Sequence, residues 1–262
     1  MVFSGKNAII TGAAGGIGKA AAKDLFNLGA NVILFDVNEN ALKKAKNEIE
    51  LKRAESLNTV AYYVVDITNN EKVKNVVSEI ADKFNNIDIL VNSAGVISSL
   101  PISDLEEDEW DRIMNINLKG TFLVTKYVIA EMAKKNAGKI VNIGSDLSYC
   151  GQKLLSHYVT SKHGILGFTK SVALEYADYG ILVNTVCPGP TETDLHYKDV
   201  DMQINFTGMS KDEHLSKELE KIPLKKLGKP EEVSKAILFL VSDYNTHITG
   251  AALTVNGGIF MN

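Results

Sequence analysis

The chain has 262 residues, a net charge of −4, and a composition that is 45% hydrophobic and 23% charged. That length buries a sizeable core without disulfide or metal staples, and the composition excludes a disordered or collagen-like chain. Acids and bases are interspersed, which leaves no electrostatic footprint for nucleic acid, and no apolar stretch is long enough to span a bilayer.

In chain order, short Val- and Ile-rich runs alternate with segments of helical period. Ala8 to Thr11 reads as a strand, followed by a helix carrying Ile17, Ala21, Leu25 and Leu28 on one face and stopped by Gly29. A second strand spans Val32 to Asp36 and a helix Asn40 to Leu57. In the latter, Lys43, Lys44 and Lys46 sit among acids and read as a solvated face. Then come a strand at Val60 to Val65, a helix at Asn70 to Phe84, a strand at Ile87 to Asn92 and one long helix from Leu105 to Lys135. The pattern closes with strands at Lys139 to Ile143, Leu182 to Val186 and Ala252 to Val255. Helices are expected at His157 to Tyr179, at Lys211 to Lys221 and from Pro230. Strands apolar at consecutive positions and alternating with helices imply a parallel sheet covered on both faces by right-handed crossovers. With no linker or second composition regime, residues 1–262 are expected to form one domain. Pro190 to about Ser210 reads as a long irregular loop, and about 190–222 is the expected substrate lid.

The opening Met-Val-Phe-Ser-Gly-Lys lacks the basic flank and apolar run of a signal peptide, so a cytoplasmic location is the expectation. Cys150 and Cys187 fit no metal or CxxC spacing and read as buried or half-buried thiols. His163 and His247 have no partners at metal spacing, and no catalytic metal is expected.

Thr11-Gly12-Ala13-Ala14-Gly15-Gly16-Ile17-Gly18 joins the first strand to the first helix. Glycines there let the backbone approach a pyrophosphate, which the helix N-terminus holds with unpaired N–H groups. The spacing of Gly12, Gly16 and Gly18 differs from G-x-G-x-x-G. Asp36 ends the second strand, where a carboxylate accepts from a ribose 2′-hydroxyl and repels a 2′-phosphate; an acid capping the next helix would occupy the same place. No Arg or Lys follows Asp36, and Lys19 is expected to point away along the helix, which favours NAD over NADP. Tyr158 and Lys162 stand four apart on one helical face, where an ammonium would pull the phenol's pKa down and make it a usable acid/base.

Ser145 follows the strand Lys139 to Ile143, Asn92-Ser93-Ala94-Gly95 closes another strand, and Asn117 lies inside a helix. With these residues the chain resembles, over essentially its whole length, the short-chain dehydrogenase/reductase family in its smaller single-domain subset. The resemblance rests on Thr-Gly-x-x-x-Gly-x-Gly at 11–18, Asp66, residues 92–95, Asn117, Ser145, Tyr158 with Lys162, Pro188-Gly189, and Gly250 through Asn256-Gly257-Gly258. It implies a Rossmann-type doubly wound α/β fold with a mostly seven-stranded parallel sheet. It implies Tyr158 as acid/base, Ser145 orienting the reacting oxygen, Lys162 binding the nicotinamide ribose and lowering the Tyr158 pKa, and Asn117 holding a relay water. Asp66 and Ile67 would meet the adenine, Asn92 and Gly95 would line the adenosine side, Pro188 and Gly189 belong to the cofactor set, and Thr193 would hold the carboxamide end. The plainer readings stand beside these: Ser145 as a helix cap, Asn117 as a satisfied amide, Asp66 as a turn former. Ser93 and Asn256 depart from the family's usual Asn and Asp; the first could alter packing beside the adenosine, the second removes a charge near the sheet end or a subunit contact.

The family is commonly tetrameric, and a homotetramer is expected. Ile165, Leu166, Phe168 and Val172 could serve that interface or face this chain's own sheet. The candidate pocket residues are Leu147, Gln152, His157, Leu195, Tyr197, Met202 and Phe206, with His157 read as a packing or surface residue. The expected substrate is a mid-sized, uncharged alcohol or ketone in a mostly apolar pocket. The leading reading is an NAD-dependent alcohol dehydrogenase; the alternative is a 3-oxoacyl-acyl-carrier-protein reductase using NADPH. A dinucleotide sensor on the same fold would be expected to have lost part of the Asn117, Ser145, Tyr158, Lys162 set.

Overall fold

The computed structural model describes residues 2–51 and 57–261. Seven strands form one all-parallel sheet: β1 Asn7–Thr11, β2 Asn31–Asp36, β3 Val60–Val64, β4 Ile89–Asn92, β5 Gly138–Ile143, β6 Ile181–Pro188 and β7 Ala252–Val255. Their order is β3-β2-β1-β4-β5-β6-β7. The chain winds outward from β1 in one direction and then, from β4, in the other. The carboxyl ends of β1 and β4 therefore flank a crevice, where open α/β sheets bind ligands.

The helices are α1 Gly16–Asn27, α2 Glu39–Glu50, α3 Asn70–Phe84, α4 Glu107–Met114, α5 Thr121–Ala133, α6 Ser156–Glu175, α7 Asp194–Thr207, α8 Lys211–Lys221 and α9 Pro230–Val241. Alternate strand residues feed two separate cores. Ala8, Ile10, Val32 and Leu34 pack with Leu25, Leu42, Ile49 and Ile237 on one face. Ile9, Ile33 and Leu90 pack with Val73, Ile80, Val124, Val128 and Val172 on the other. Each fully buried Leu, Ile or Val contributes about 1.5–3 kcal/mol, so the doubly buried strands dominate the fold's stability. Among the described residues no helix is long and apolar enough to cross a membrane.

The expected doubly wound seven-stranded fold is present. Three local expectations differ. The single helix expected from Leu105 to Lys135 is divided: a 3-10 turn at Ile102–Asp104 precedes α4, and a π-helical turn at Asn115–Gly120 separates α4 from α5. That widened turn carries Asn117. The helix expected to reach Leu57 ends at Glu50, and part of the remainder of that expectation, residues 52–56, lies outside the described residues. The expected loop from Pro190 to Ser210 is mostly α7. Thr193 caps it by accepting from the His196 N–H, and Gly208 closes it at φ +67°. Of the two readings open for Ile165, Leu166, Phe168 and Val172, the structure shows the inward one: Ile165, Leu166 and Val172 are buried within this chain, and Phe168 packs against its core. The lysines of α2 form the solvated face expected of them, pairing with Glu39, Glu48 and Glu50.

Candidate active site

A cavity of about 920 Å³ opens at the carboxyl ends of the strands. Its floor is the turn from β1 into α1. Gly12 (φ +64°) and Gly16 (φ +51°) take left-handed conformations, and a Cβ on Gly12 would lie 2.8 Å from the Ala94 backbone. A Cβ on Gly18 would lie 2.4 Å from the Gly12 carbonyl oxygen, so Gly18 stands behind the loop rather than on its surface. The N-cap of α1 is Gly15, which offers no side-chain cap. The first-turn N–H groups of α1 are thus left for a ligand, and Gly12, Gly16 and Ile17 line the cavity. The turn is braced by Thr11, whose hydroxyl accepts from the Ser93 and Ala94 N–H groups at 3.0 Å. Both contacts use the backbone of residue 93 or 94, so they do not require Asn at position 93.

Asp36 lines the same half of the cavity. Its carboxylate accepts from the Ala14 N–H at 3.3 Å and the Asn38 N–H at 3.1 Å. It does not cap α2; Asn38 does. Lys19 is turned away to Glu48 at 3.0 Å, as its position after Gly18 implied.

Ser145, Tyr158 and Lys162 converge on the cavity from β5 and α6. Ser145 leaves the strand in extended backbone and its side chain accepts from the Leu147 N–H at 3.1 Å, so it does cap the following 3-10 turn. Its hydroxyl donates to Asp146 at 2.8 Å. Lys162 donates to the Ile143 carbonyl at 2.8 Å, and its ammonium lies 5.6 Å from the centre of the Tyr158 ring. Burial lowers Lys162 to about 8. The expectation that Lys162 would lower the Tyr158 pKa is not met here: burial pushes the phenol up, the Asp146 carboxylate adds to it, and a hydrogen bond from Ser145 opposes it. Desolvation of a phenolate outweighs its neighbours in this buried position.

Asn117 is held in the π-helical turn with every amide group engaged. Its Oδ1 accepts from the Val96 N–H at 2.8 Å, and its Nδ2 donates to the Val96 carbonyl and the Ser161 hydroxyl. Gly95 stands between Asn117 and Lys162: a Cβ there would lie 3.4 Å from the Asn117 Oδ1 and 3.8 Å from the Lys162 Nζ. Pro188, Gly189 and Thr193 line the cavity. Asp66, Ile67, Asn92 and Asn117 stand outside its lining. Asp66 is exposed and accepts from the Thr68 N–H and hydroxyl, the geometry of a turn former. Ile67 packs on Gly120. Asn92 ties β4 to the Thr125 hydroxyl and to the Asn142 side chain. Asn256 forms a local turn, accepting from the Gly258 N–H and donating to the Phe260 carbonyl.

Of the candidate pocket residues, Leu147, Gln152, Leu195 and Phe206 line the cavity; His157, Tyr197 and Met202 do not. His157 is fully buried and meets the Ser98 hydroxyl at 2.8 Å, a packing role. The lining is apolar over the larger part of its area, but Asp146, Asp199, His196 and Glu218 also face the cavity. Asp146 had a signal in its place beside Ser145. The other three are brought in by α7 and α8, whose placement no local pattern encodes.

Residues 6–211 match the short chain dehydrogenase family. The chain belongs to that family. It is an oxidoreductase, and the family binds a nicotinamide cofactor. Among relatives, it is 38% identical over 260 residues, 99% of each chain, to the 3-oxoacyl-acyl-carrier-protein reductase FabG of Thermotoga maritima. A crystal structure of NAD+-bound xylitol dehydrogenase superposes with a TM-score of 0.93 at 32% identity, covering 98% of this chain and 99% of that one. The aldohexose dehydrogenase of Thermoplasma acidophilum superposes with a TM-score of 0.85 at 33% identity, covering 98% and 94%.

Proposed function

We propose that this protein is an NAD(H)-dependent oxidoreductase that interconverts a secondary alcohol and a ketone, with Tyr158 as general acid/base. The observation that carries the cofactor preference is Asp36. Its carboxylate stands on the cavity wall beside Ala14 and Asn38, and the one nearby cation of α1, Lys19, is committed to Glu48. A 2′-phosphate placed there meets a like charge; a 2′-hydroxyl meets an acceptor. The bare N-terminus of α1 and the glycine turn fit a pyrophosphate.

When bound, the nicotinamide supplies the hydride acceptor or donor. In oxidation, Tyr158 takes the hydroxyl proton as the carbinol C–H leaves as hydride; in reduction it returns a proton to the oxygen. Ser145 hydrogen-bonds that oxygen, which stabilises developing alkoxide character. Lys162 holds the ribose, and Asn117 fixes the Val96 backbone beside it and is the proposed anchor of a relay water. Ile67 and Asp66 belong to the adenine end and Asn92 to the strand beneath it, with Pro188, Gly189 and Thr193 at the nicotinamide end. Residues 1–262 are read as one catalytic domain in which α7 and α8 form the lid over the substrate. A cytoplasmic homotetramer acting on a small-molecule substrate completes the reading.

The second reading is a 3-oxoacyl-acyl-carrier-protein reductase using NADPH, favoured by the name and 38% identity of the Thermotoga maritima relative. Fluorescence titration with NADH and NADPH separates the two. Tighter NADH binding that reverses or levels in Asp36→Ser supports the first; tighter NADPH binding by the unmodified protein refutes it.

A further inference from the structure

The cavity holds polar atoms whose hydrogen-bonding capacity the protein does not exhaust. Asp146 is 8% exposed. Both of its hydrogen bonds from other residues, from the Ser145 hydroxyl at 2.8 Å and the Leu147 N–H at 2.9 Å, fall on Oδ1. Among the described residues no other side chain or backbone group donates to its Oδ2. Across the cavity, His196 on α7 and Glu218 on α8 approach to 3.1 Å, but not in line. The His196 Nε2 and the Glu218 Oε2 are buried without an aligned hydrogen bond. The Asp146 Oδ2, which takes no donor, and the misaligned His196–Glu218 pair therefore leave hydrogen-bonding capacity at the cavity that suits a ligand supplying donors and acceptors together.

We propose that Asp146, His196 and Glu218 form a hydroxyl-reading subsite beside the reacting carbon, and that the substrate is a neutral polyhydroxylated compound with a hydroxyl next to the carbinol carbon. This rests on the oxidoreductase reading above. The two oxygens of the Asp146 carboxylate carry the geometric argument. Oδ1 binds Ser145, the residue that meets the reacting oxygen, so a donor held by Oδ2 belongs to the neighbouring carbon. A hydroxyl suits this set because it donates to the Asp146 Oδ2 or the Glu218 Oε2 and accepts from the His196 ring. An acyl chain would cover these atoms with methylenes and leave them desolvated and unpaired. An ammonium group would satisfy the carboxylates, but Lys153, Lys198 and Lys217 share the lining and oppose a free cation.

The test is a matched set of substrates with NAD+: 2-butanol, 2,3-butanediol, a linear pentitol and 1-amino-2-propanol, with a 3-oxoacyl thioester assayed in the reductive direction. The diol and pentitol are expected to exceed 2-butanol in kcat/KM by at least tenfold, about 1.4 kcal/mol. Asp146→Asn and Glu218→Met are each expected to reduce that ratio several-fold. As a readout without turnover, the pentitol should raise the melting temperature of the NADH-saturated protein and 2-butanol at equal concentration should not. A wild-type preference for 2-butanol, the amino alcohol or the thioester, or no melting shift with the pentitol, overturns the subsite and leaves the oxidoreductase reading standing. Absence of turnover on every substrate together with no binding of NADH or NADPH overturns both. If Glu218→Met fails to fold, the wild-type ratio still decides.

Discussion

Gly18→Ala tests whether the first turn is built for a pyrophosphate or is only a tight connection. The added Cβ would lie 2.4 Å from the Gly12 oxygen, 2.9 Å from the Gly12 carbonyl carbon and 3.2 Å from the Thr11 oxygen. All three are backbone atoms, so no side chain can swing aside and the turn itself must move. Overpacking of this kind costs about 1–3 kcal/mol. At about 2.1 cal/mol/K per residue, the unfolding entropy of a chain this long is about 0.55 kcal/mol/K, so the melting temperature should fall by about 2–5 °C. The same displacement misaims the N–H groups at the start of α1. Losing the worth of one charge-assisted hydrogen bond, about 1.5–3 kcal/mol, weakens NADH binding by at least tenfold. The assay is a thermal melt paired with an NADH fluorescence titration, with Gly151→Ala as control because a Cβ there meets nothing within 4 Å. A Gly18→Ala protein that melts and binds NADH as the unmodified protein does would refute the reasoning.

Tyr158→Phe should retain the fold and NADH binding and lose turnover by at least about a hundredfold, as removal of a general acid/base does; retention of a tenth of the activity would remove Tyr158 from that role. Burial holds His157 below its ordinary value of 6.5, with Glu109 raising and Arg112 lowering it by smaller amounts. The unfolded chain therefore binds the proton first, and stability present above pH 6.5 is lost as pH falls below it, by at most about 1.4 kcal/mol per pH unit. Glu109 is itself held below its ordinary range, mainly by Arg112, so its own loss begins at lower pH. The melting temperature should drop between pH 6.5 and 5.5 by up to about 2–3 °C from this group, and His157→Gln should flatten that slope; an unchanged slope would assign it elsewhere. Lys139→Met removes the donor to the Ser242 and Asn245 carbonyls and should cost about 1–3 kcal/mol, read as a lower denaturation midpoint with unchanged NADH affinity.

The sheet was legible because its strands are buried on both faces, and consecutive apolar runs such as Ile9, Ile10 and Val32 to Phe35 have no other stable use in a chain of this composition. The glycine turn and the Tyr158/Lys162 pair were legible for a similar reason: local spacing alone fixes which backbone bends and which side chains share a face. The break in the helix around Asn117 was not legible, since a π-helical turn keeps an apolar pattern nearly continuous and differs only in which carbonyls are freed. In α7 the boundaries were written in the chain, as Thr193 and Gly208, but the interior was not. A helix with one side on a cavity and the other in solvent has no wide apolar stripe for periodicity to find.

That same property of α7 explains why the polar residues it brings to the cavity had no signal in the sequence. Gly12, Gly16 and Asp36, which line the same cavity, lie at or just beyond the ends of β1 and β2, so their positions follow from the sheet. His196, Asp199 and Glu218 reach the cavity through tertiary docking. Asp199 accepts from the Ser99 hydroxyl at 2.6 Å and from Gln203 at 2.7 Å, which pins α7 to the loop after β4. A buried carboxylate satisfied in this way fixes the position of the helix, and with it that of His196 on the same helix. The hydrogen bond between residues 99 and 199 is therefore a long-range polar latch on the lid, beside the backbone bonds that join Pro190 and Glu192 to Gly228. A change at Ser99 should alter substrate preference before it alters cofactor binding, because the latch touches the lid and none of the residues around the pyrophosphate turn.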